Sequence, residues 1–369
     1  MKTVLISGAG VAGAALAHWL HRGGVAVTVV EHAPGRRCGG QAVDIRGAAL
    51  DVIERMGLLD QTRAHRTRMR GMSVLDGAGK EIHRSTEMTF SSGRLANDDI
   101  ELLREDLVRL LHERALGEVE FVFGDGITTL DQNEHGVRVG FEHGRSRTFD
   151  LVVGADGLHS AVRRLGFGPQ EQFARHLGMH LAIFTADNFL ALEDWQLWLR
   201  DGEAGYGIYP VRDNSELRIS FGFAGESLPA DRGDTEQHKL FVADRMATLH
   251  WETPRLLRAL REAPDFYFDT MTQVHMDRWS NGRTVLLGDA GYCASPLSGQ
   301  GTSLALVGAY VLADALRRAD GDHHAAFACY ERRMRPFVEL NQALATENPG
   351  GPASEASVER AKNAIELDG

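Results

Sequence analysis

The first thirty-one residues constrain the fold more than any other stretch, because strand, glycine turn, helix and strand follow one another without interruption. Residues 2–7 (KTVLIS) form an apolar run, and a glycine-rich turn, GAGVAG, leads on from it. Residues 14–24 then have helical length and end in two glycines, and residues 25–30 (VAVTVV) form a second apolar run. When one helix joins two such strands, the strands form a parallel pair. We therefore predict an α/β domain that begins with a βαβ unit.

The glycine turn has the spacing G-x-G-x-x-G at Gly8, Gly10 and Gly13. The first glycine permits a tight turn, the second lets backbone approach a pyrophosphate, and the third lets the helix pack on the strand. Glu31 ends the second strand and can accept both hydroxyls of an adenosine ribose. The pattern predicts a dinucleotide site without separating NAD from FAD, and the alternative is a glycine turn that binds nothing.

Two later segments repeat the order of strand, turn and helix. In residues 283–316 a strand ends at Asp289 and a helix begins near Gly301, so a carboxylate stands beside a helix N-terminus that can stabilise negative charge. In residues 150–164 an Asp156–Gly157 turn follows a strand and can close over a pyrophosphate, and Ser160 is predicted to cap the helix after it. The alternatives are an ordinary N-cap in the first segment and a plain strand-to-helix connection in the second.

The middle of the chain has a different character. Residues 170–275 concentrate aromatic side chains, and runs such as LRISFGF alternate with period two, which predicts a largely antiparallel second domain. A D-G turn at Asp76–Gly77 predicts a hairpin, residues 50–59 predict one helix, and a leucine stripe predicts a helix that begins near Arg104. The predicted parts are a discontinuous dinucleotide-binding domain (residues 1–70, 95–170 and 275–335), a substrate-binding domain (residues 71–94 and 171–274) and a C-terminal helical segment (residues 336–369).

Composition argues against several classes of partner. The 40 basic and 51 acidic residues give a net charge of −11, which disfavours nucleic acid and anionic lipid surfaces. Cys38, Cys293 and Cys329 form neither a C-x-x-C pair nor a cluster with metal-ligand spacing, so we expect no metal site. No apolar run reaches the ~18–20 residues of a membrane span, and there is no room for a signal peptide before the first strand. We expect a cytoplasmic protein.

Together the three motifs, in this order, resemble the aromatic-ring flavoprotein monooxygenases typified by para-hydroxybenzoate hydroxylase. Residues 39–58 (GGQAVDIRGAALDVIERMGL) and 288–316 (GDAGYCASPLSGQGTSLALVGAYVLADAL) look most like the tetracycline-inactivating branch of that family. The resemblance covers residues 1 to about 345. It implies an α/β fold: a Rossmann-like FAD-binding domain of the GR2 type, an antiparallel β-sheet substrate domain and C-terminal helices.

The resemblance also implies which residues bind the cofactor. The glycine turn would hold the FAD pyrophosphate, Glu31 the ribose and Asp289 the flavin side, while Arg36 or Arg46 would meet the nicotinamide donor. The loop before the late helix would run past the isoalloxazine. The implied cofactor-binding residues are Gly8, Gly10, Val11, Ala12, Gly13, Glu31, Arg36, Asp44, Arg46, Arg104, Asp156, Asp289, Pro296, Gly299, Gln300, Gly301, Thr302 and Ser303.

By the same resemblance, NADH or NADPH would reduce FAD, O₂ would add at the flavin C4a carbon, and the hydroperoxide would hydroxylate an aromatic or polyketide-like small molecule in antibiotic biosynthesis or resistance. The flavin would carry the chemistry, so no catalytic side chain is singled out. The chain has no second G-x-G-x-x-G, so the donor is expected to visit the FAD cleft. We expect a monomer or a homodimer.

The substrate wall is sought among aromatic side chains, because stacking on a planar ligand uses their area. The candidates are Trp195, Trp198, Tyr206 and Phe221. His159, His180 and His275 could each act as a base for a phenol, although a lone histidine is more often a solvated or satisfied residue.

Three alternative functions compete. A reductase or dehydrogenase of the same fold would transfer hydride without using O₂, and Tyr292 and Ser303 depart from the family pattern where oxygen activation is tuned. A flavin halogenase is disfavoured, since the W-x-W-x-I-P segment is absent. A protein that sequesters a ligand without turnover would need no redox cofactor, and the dinucleotide motifs argue against it.

Overall fold

The computed structural model describes residues 1–36, 39–115, 117–226, 234–348 and 351–368. Cys38 lies outside these residues. Strands and helices are numbered along the chain. The helices are α1 (Val11–Arg22), α2 (Ala48–Arg55), α3 (Leu59–Ala64), α4 (Arg104–Ala115), α5 (Ala161–Gly166), α6 (Thr235–Met246), α7 (Thr253–Glu262), α8 (Asp289–Tyr292), α9 (Gly301–Arg318), α10 (His323–Glu347) and α11 (Glu355–Lys362).

A six-stranded sheet forms the centre of the first domain. Its strands, in spatial order, are β19 (Ser280–Asn281), β20 (Thr284–Leu286), β13 (Leu151–Gly154), β1 (Thr3–Ser7), β2 (Ala26–Glu31) and β9 (Glu120–Phe123). In this spatial order β20, β13, β1, β2 and β9 are each parallel to the next strand, and β19 is antiparallel to β20. Strand β1 is buried almost throughout, as expected of a parallel sheet covered by helices. The predicted βαβ unit is therefore present, with α1 between β1 and β2.

A seven-stranded sheet forms the second domain. Its spatial order is β18 (Tyr267–Val274), β14 (Ala174–Asp187), β17 (Glu216–Ala224), β16 (Ala204–Val211), β15 (Gln196–Asp201), β4 (Met72–Leu75) and β5 (Glu81–Ser85). All neighbours are antiparallel except β15 and β4. The hairpin predicted at Asp76–Gly77 joins β4 to β5, so the segment from 71–94 contributes two strands to this sheet. Helices α6 and α7 pack on one face around a core that includes Phe184, Phe221 and Leu256.

Three smaller sheets complete the described strands. They consist of β3 (Ala42–Ile45) with β8 (Ile100–Leu103), β6 (Met88–Thr89) with β7 (Gly93–Arg94), and β10 (Ile127–Asn133) with β11 (Gly136–Phe141) and β12 (Arg147–Phe149). The predicted helix start near Arg104 is confirmed.

Two expectations from the sequence differ from the structure. The single helix predicted over residues 50–59 was wrong: it is the end of α2 and the start of α3, because Gly57 between them has φ +72°, outside the helical region. The domain boundary proposed at residue 336 falls inside α10, which continues from His323 to Glu347 with Pro336 in its interior. Among the described residues, no helix is both long enough and apolar enough to cross a bilayer.

Candidate functional site

The carboxyl ends of four parallel strands meet at one edge of the six-stranded sheet. Ser7 of β1 is in register with Val30 of β2 and with Gly154 of β13, and Leu286 of β20 is in register with Gly154 as well. After these strands come the glycine turn (β1), Glu31 at the end of β2, the Asp156–Gly157 turn (β13) and the Gly288–Asp289 motif (β20). Ligands of open α/β sheets bind at this edge, and here it opens into a cleft of about 3220 Å³ between the two sheets.

The three motif glycines meet different needs. Gly8 has φ +102°, and a Cβ there would lie 2.4 Å from the carbonyl oxygen of Ala155. A Cβ at Gly13 would lie 1.9 Å from the carbonyl oxygen of Gly8, so helix α1 can approach β1 only with glycine at that position. At Gly10 the nearest atom, Nη2 of Arg104, is 3.6 Å away. Gly8 and Gly13 are thus required by the fold, whereas Gly10 keeps the cleft side of the turn open.

Glu31 stabilises the turn from the neighbouring strand. Its Oε2 accepts a hydrogen bond from the Ala9 N–H at 2.9 Å, and its Oε1 accepts one from the Ala33 N–H at 3.0 Å. Each carboxylate oxygen has a second lone pair, and Glu31 lines the cleft. The N-cap of α1 provides no side-chain hydrogen bond to the helix. The first N–H groups of this helix therefore give the cleft a partial positive charge next to a carboxylate.

Asp156 lines the cleft, but its carboxylate is used within the protein. It accepts hydrogen bonds from the Ser7 hydroxyl at 3.1 Å, from the Val162 N–H at 3.1 Å, and from the Ser160 hydroxyl. Burial raises the pKa of Asp156, and these hydrogen bonds oppose that shift. Ser160 caps α5, as the sequence predicted. Asp156 therefore fixes the D-G turn against β1, and the backbone of the turn faces the cleft.

Asp289 extends into the cleft beside the start of α9. Its Oδ1 lies 3.9 Å from the point that a Cβ would occupy at Gly301. The side chain is exposed to the cleft, yet desolvation raises its pKa, an effect that a hydrogen bond with Cys293 and the charges of Arg104 and Arg163 oppose. Its neighbours and its exposure suit a carboxylate that accepts hydrogen bonds from ligand hydroxyls.

The loop before α9 presents an unpaired amide. Gln300 precedes the first residue of the helix, and its side chain is buried. Neither Oε1 nor Nε2 of Gln300 has a hydrogen-bond partner within the described residues. A buried amide without partners costs ~1–3 kcal/mol, so the wall of the cleft holds an unsatisfied polar side chain at this point. The helix N-terminus beside it also lacks a side-chain cap.

A buried ion pair borders the same loop. Nη2 of Arg46 lies 2.9 Å from Oδ2 of Asp44, and both side chains are 9% exposed. Nη2 also donates to the Ser91 carbonyl at 3.3 Å, and it lies 3.9 Å from the Cβ position of Gly299. Burial raises the pKa of Asp44 to about 7, although Arg46 acts in the opposite direction. Oδ1 of Asp44 has no partner within the described part of the chain.

Two residues that depart from the family pattern lie outside the cleft. The Ser303 hydroxyl accepts from the Arg46 N–H at 3.0 Å and is fully buried. The Tyr292 hydroxyl lies 2.8 Å from that of Tyr330, also fully buried under α9. Both hydroxyls are turned towards the protein interior, so neither of these side chains lines the cleft.

Most of the other expected cofactor residues do meet in one place. Arg36 lies on the exposed rim, and Arg104 begins α4 opposite the glycine turn. Gly13 is absent from the cleft wall because it packs between α1 and β1. The expected residues that line the cleft are Gly8, Gly10, Val11, Ala12, Glu31, Arg36, Asp44, Arg46, Arg104, Asp156, Asp289, Pro296, Gly299, Gln300, Gly301 and Thr302.

The four aromatic candidates for the substrate wall separate. Trp198 lines the cleft, and Phe90 packs against its edge. Phe221 is fully buried in the core on the opposite face of the sheet. Tyr206 also lines the cleft, but its hydroxyl lies 3.1 Å from that of Thr253 on α7, on the opposite face. Trp195 stacks under Arg84 outside the cleft. Side chains alternate along a strand, so the bulky members of LRISFGF face the core.

A polar cluster at the cleft was only partly foreseen. Nε2 of His159 lies 3.0 Å from Oδ2 of Asp269, and the Tyr267 hydroxyl donates to the same oxygen at 3.1 Å. Burial disfavours the charged form of Asp269, but the hydrogen bond and charge of His159 outweigh this and lower its pKa. His159 was one of several candidate histidines. Asp269 and Tyr267 had no local signal, because the fold alone brings them to His159.

The residues at this edge fit FAD. Two helix N-termini without side-chain caps and a carboxylate at the end of β2 face one cleft, and the unpaired Gln300 amide is buried in its wall. Its volume is about three times the upper end of the ~300–1,000 Å³ typical of a site for one drug-sized ligand. The cleft therefore has room for a dinucleotide and a second molecule. Within the described ranges, no three His, Cys, Asp or Glu side chains are grouped to hold a metal ion.

Comparison with known proteins agrees with this geometry. A family model described as an FAD binding domain matches residues 1–341, and the chain belongs to that family. This match, together with the relatives and structures described next, confirms the family and the fold class expected from the three motifs.

Relatives and solved structures make the family assignment more specific. A flavin-dependent monooxygenase of Legionella longbeachae is 41% identical over 92% of this chain and 86% of its own. An uncharacterized protein of Mycobacterium tuberculosis is 52% identical over 100% of this chain and 99% of its own. The crystal structure of tetracycline destructase Tet(55) matches with a TM-score of 0.88 and 36% identity, covering 100% of this chain and 98% of that one. Klebsiella pneumoniae HpxO, solved with FAD and uric acid, shares the fold at a TM-score of 0.72 and 23% identity, covering 98% and 92%.

Proposed function

We propose that this chain is an FAD-dependent monooxygenase that uses NADH or NADPH and O₂ to hydroxylate an aromatic or polyketide-like small molecule. The observation that carries the proposal is that both sheets line one cleft. The carboxyl edge of the six-stranded sheet, which fits FAD, faces the seven-stranded sheet across it. The space between them is large enough for both cofactor and substrate. The flavin-dependent monooxygenases among its relatives support the reaction class.

Each part of the cleft has a role in binding. The N-terminus of α1 and Arg104 hold the pyrophosphate, Glu31 accepts hydrogen bonds from the ribose hydroxyls, and Asp289 accepts them from the ribityl chain. FAD, when bound, supplies the transfer of electrons from the nicotinamide donor to O₂. The N-terminus of α9 stabilises negative charge that develops on the flavin ring, because its partial positive charge is fixed in advance.

The two candidate arginines for the nicotinamide donor have different positions. Arg36 is exposed on the rim of the cleft, whereas Arg46 is buried and paired with Asp44. A donor that visits from solvent meets Arg36 first, and Arg46 instead fixes the wall next to the loop of residues 296–302. The seven-stranded sheet and the walls around it exclude water from the reacting ring, which protects a reactive oxygen species from side reactions.

The test starts with the purified protein and its visible spectrum. A yellow protein with one FAD per chain is expected, and NADH or NADPH consumption should accelerate when a phenolic or polyketide ligand is added in air. The product should gain one oxygen atom that comes from labelled O₂.

Three outcomes contradict the proposal in different ways. Equal turnover without oxygen, with a product that gains hydrogen, identifies a reductase of the same fold. Stoichiometric ligand protection without any product identifies a sequestering protein. Failure to take up FAD removes the cofactor assignment itself.

A further inference from the structure

One face of the seven-stranded sheet lines the cleft with a regular pattern. The pairing registers define two rows of residues on this face, in which each residue lies opposite the next on the neighbouring strand. All members of both rows line the cleft. The first row is Asp269, Leu181, Gly222, Gly205 and Arg200, and the second is Tyr267, Ile183, Ser220, Gly207, Trp198 and Val74.

The centre of these rows has almost no side chains. Gly222 and Gly205 are paired across β17 and β16, and Ser220 is paired with Gly207. The Trp198 ring lies over Gly207, where a Cβ would come within 2.6 Å of it. We call the area above Gly222, Gly205 and Ser220 the glycine bay. Two strand spacings make it about 10 Å wide, which suits a flat ring system.

The glycines of the bay differ in how much room they leave. A Cβ at Gly205 would meet the Leu199 carbonyl at 2.5 Å, so glycine is required there by the backbone. At Gly222 the nearest atom is the Met179 methyl, 3.9 Å away, and φ is not positive. The fold would accept a side chain at Gly222, and that side chain would occupy only the cleft. The absence of a side chain at Gly222 is therefore not required by the fold, and it leaves space in the cleft for a ligand.

The edge of the bay on β18 is polar. The Tyr267 hydroxyl donates its proton to Oδ2 of Asp269 at 3.1 Å, and Asp269 is held from the other side by His159. With its proton directed to Asp269, the Tyr267 oxygen presents its lone pairs as acceptors. Tyr267 is 40% exposed. Burial and the carboxylates of Asp269 and Asp289 raise the pKa of this hydroxyl, so Tyr267 keeps its proton.

The opposite edge of the bay is connected to the flavin half of the cleft. The Trp198 indole N–H donates to Gln196 at 3.0 Å, and the Gln196 amide donates to the Ser91 hydroxyl at 2.6 Å. The Ser91 carbonyl accepts from Arg46, which borders Gly299. These contacts fix Trp198 relative to the loop where FAD is expected.

From this geometry we infer that the glycine bay binds a planar fused-ring substrate whose hydroxyl donates a hydrogen bond to Tyr267, and that Gly222 determines how large a ring is admitted. Asp269 and His159 are positioning residues, because they orient Tyr267 without contacting the ring. The inference rests on the proposed function and specifies its substrate class: flat, with a phenolic hydroxyl at the edge that faces β18.

The test uses binding, so it does not depend on turnover. FAD-loaded protein is titrated calorimetrically with 2-naphthol and with 2-methoxynaphthalene, which has the same ring but no donor. The wild type is expected to bind 2-naphthol about three- to tenfold more tightly, the value of one hydrogen bond. Tyr267→Phe should abolish this preference and leave the affinity for the ether unchanged. Gly222→Leu should weaken both ligands at least about tenfold, and Gly222→Ala less.

Thr148→Leu is the matched control, since it adds the same apolar side chain to an exposed strand position in another sheet. The thermal unfolding midpoint and the FAD content of every variant are also measured. A variant that loses ligand affinity but keeps both values has a filled bay, whereas one that loses these values has a damaged fold. Wild-type naphthol affinity in Gly222→Leu, an unchanged preference in Tyr267→Phe, or no binding of either ligand to the wild type would overturn the inference. A colourless protein without oxygen-dependent turnover would instead contradict the proposed function.

Discussion

The Asp44 carboxylate lies 2.9 Å from the Arg46 guanidinium, and both side chains are 9% exposed. Desolvation of such a pair offsets much of its mutual attraction. For Asp44 desolvation exceeds the attraction of Arg46, and Glu101 and Asp99 add negative charge nearby, so the pKa of Asp44 is raised to about 7. The pair therefore fixes the cleft wall at a cost in stability that depends on pH.

The sign of that dependence follows from proton linkage. The unfolded chain releases the Asp44 proton near the ordinary pKa of 3.8, whereas the folded chain holds it to about 7. The unfolded state thus binds fewer protons between these values, and the contribution of Asp44 to stability is lost as pH rises. We expect the free energy of unfolding of Asp44→Asn, minus that of the wild type, to increase from pH 4 to pH 7 in urea titrations. Asp51→Asn, at an exposed site on α2, is the control. A difference that stays flat with pH would contradict the raised pKa.

Two glycine variants separate the needs of the fold from those of the cofactor. Gly13→Ala places a Cβ 1.9 Å from a carbonyl oxygen, so we expect a severe loss of soluble, folded protein. Gly10→Ala has 3.6 Å of clearance, so the apoprotein should fold with nearly unchanged thermal stability. Its added methyl occupies the place where backbone approaches the pyrophosphate, and FAD affinity should fall about tenfold or more by fluorescence quenching. Equal behaviour of the two variants would refute this division.

Glu31 is expected to couple the glycine turn to the ribose. Glu31→Ala removes the acceptor for two backbone N–H groups and for the ribose hydroxyls. Loss of such charge-assisted hydrogen bonds corresponds to ~1–3 kcal/mol, which should appear as weaker FAD binding in equilibrium titration of the apoprotein. Glu54→Ala, at an exposed position of α2, should leave FAD affinity unchanged. If both variants bind FAD equally well, the ribose assignment is wrong.

Local sequence patterns were sufficient where contiguous residues determine structure. The βαβ unit, the Ser160 cap and the start of α4 each depend on spacings of a few residues, and the structure has all of them. The break between α2 and α3 was missed, because Gly57 was taken as part of a helical pattern and its positive φ depends on the surrounding packing.

The substrate half of the cleft was predicted less well, for a physical reason. The sequence predicts that aromatic side chains line the substrate site. Along β17, however, the bulky Phe221 faces the core and Gly222 faces the cleft. The alternation of side chains along a strand does not indicate which face of the sheet lies against the core and which lines the cleft. The meeting of His159 with Asp269 joins residues 110 positions apart, and only the tertiary fold brings them together.

The Tyr292 hydroxyl is expected to serve packing and not oxygen chemistry. It forms a 2.8 Å hydrogen bond with Tyr330, whose own hydroxyl donates to the Leu286 carbonyl on β20. Burial raises the pKa of Tyr292 to about 12, so the group stays protonated. Tyr292→Phe should lower the free energy of unfolding by ~0.5–1.5 kcal/mol. FAD affinity and the rates of flavin reduction and reoxidation, measured by stopped-flow absorbance, should match the wild type. Tyr330→Phe is the matched control, because it breaks the same hydrogen bond from the other side. A reoxidation rate that changes in Tyr292→Phe but not in Tyr330→Phe would place this side chain in oxygen activation and contradict the buried geometry.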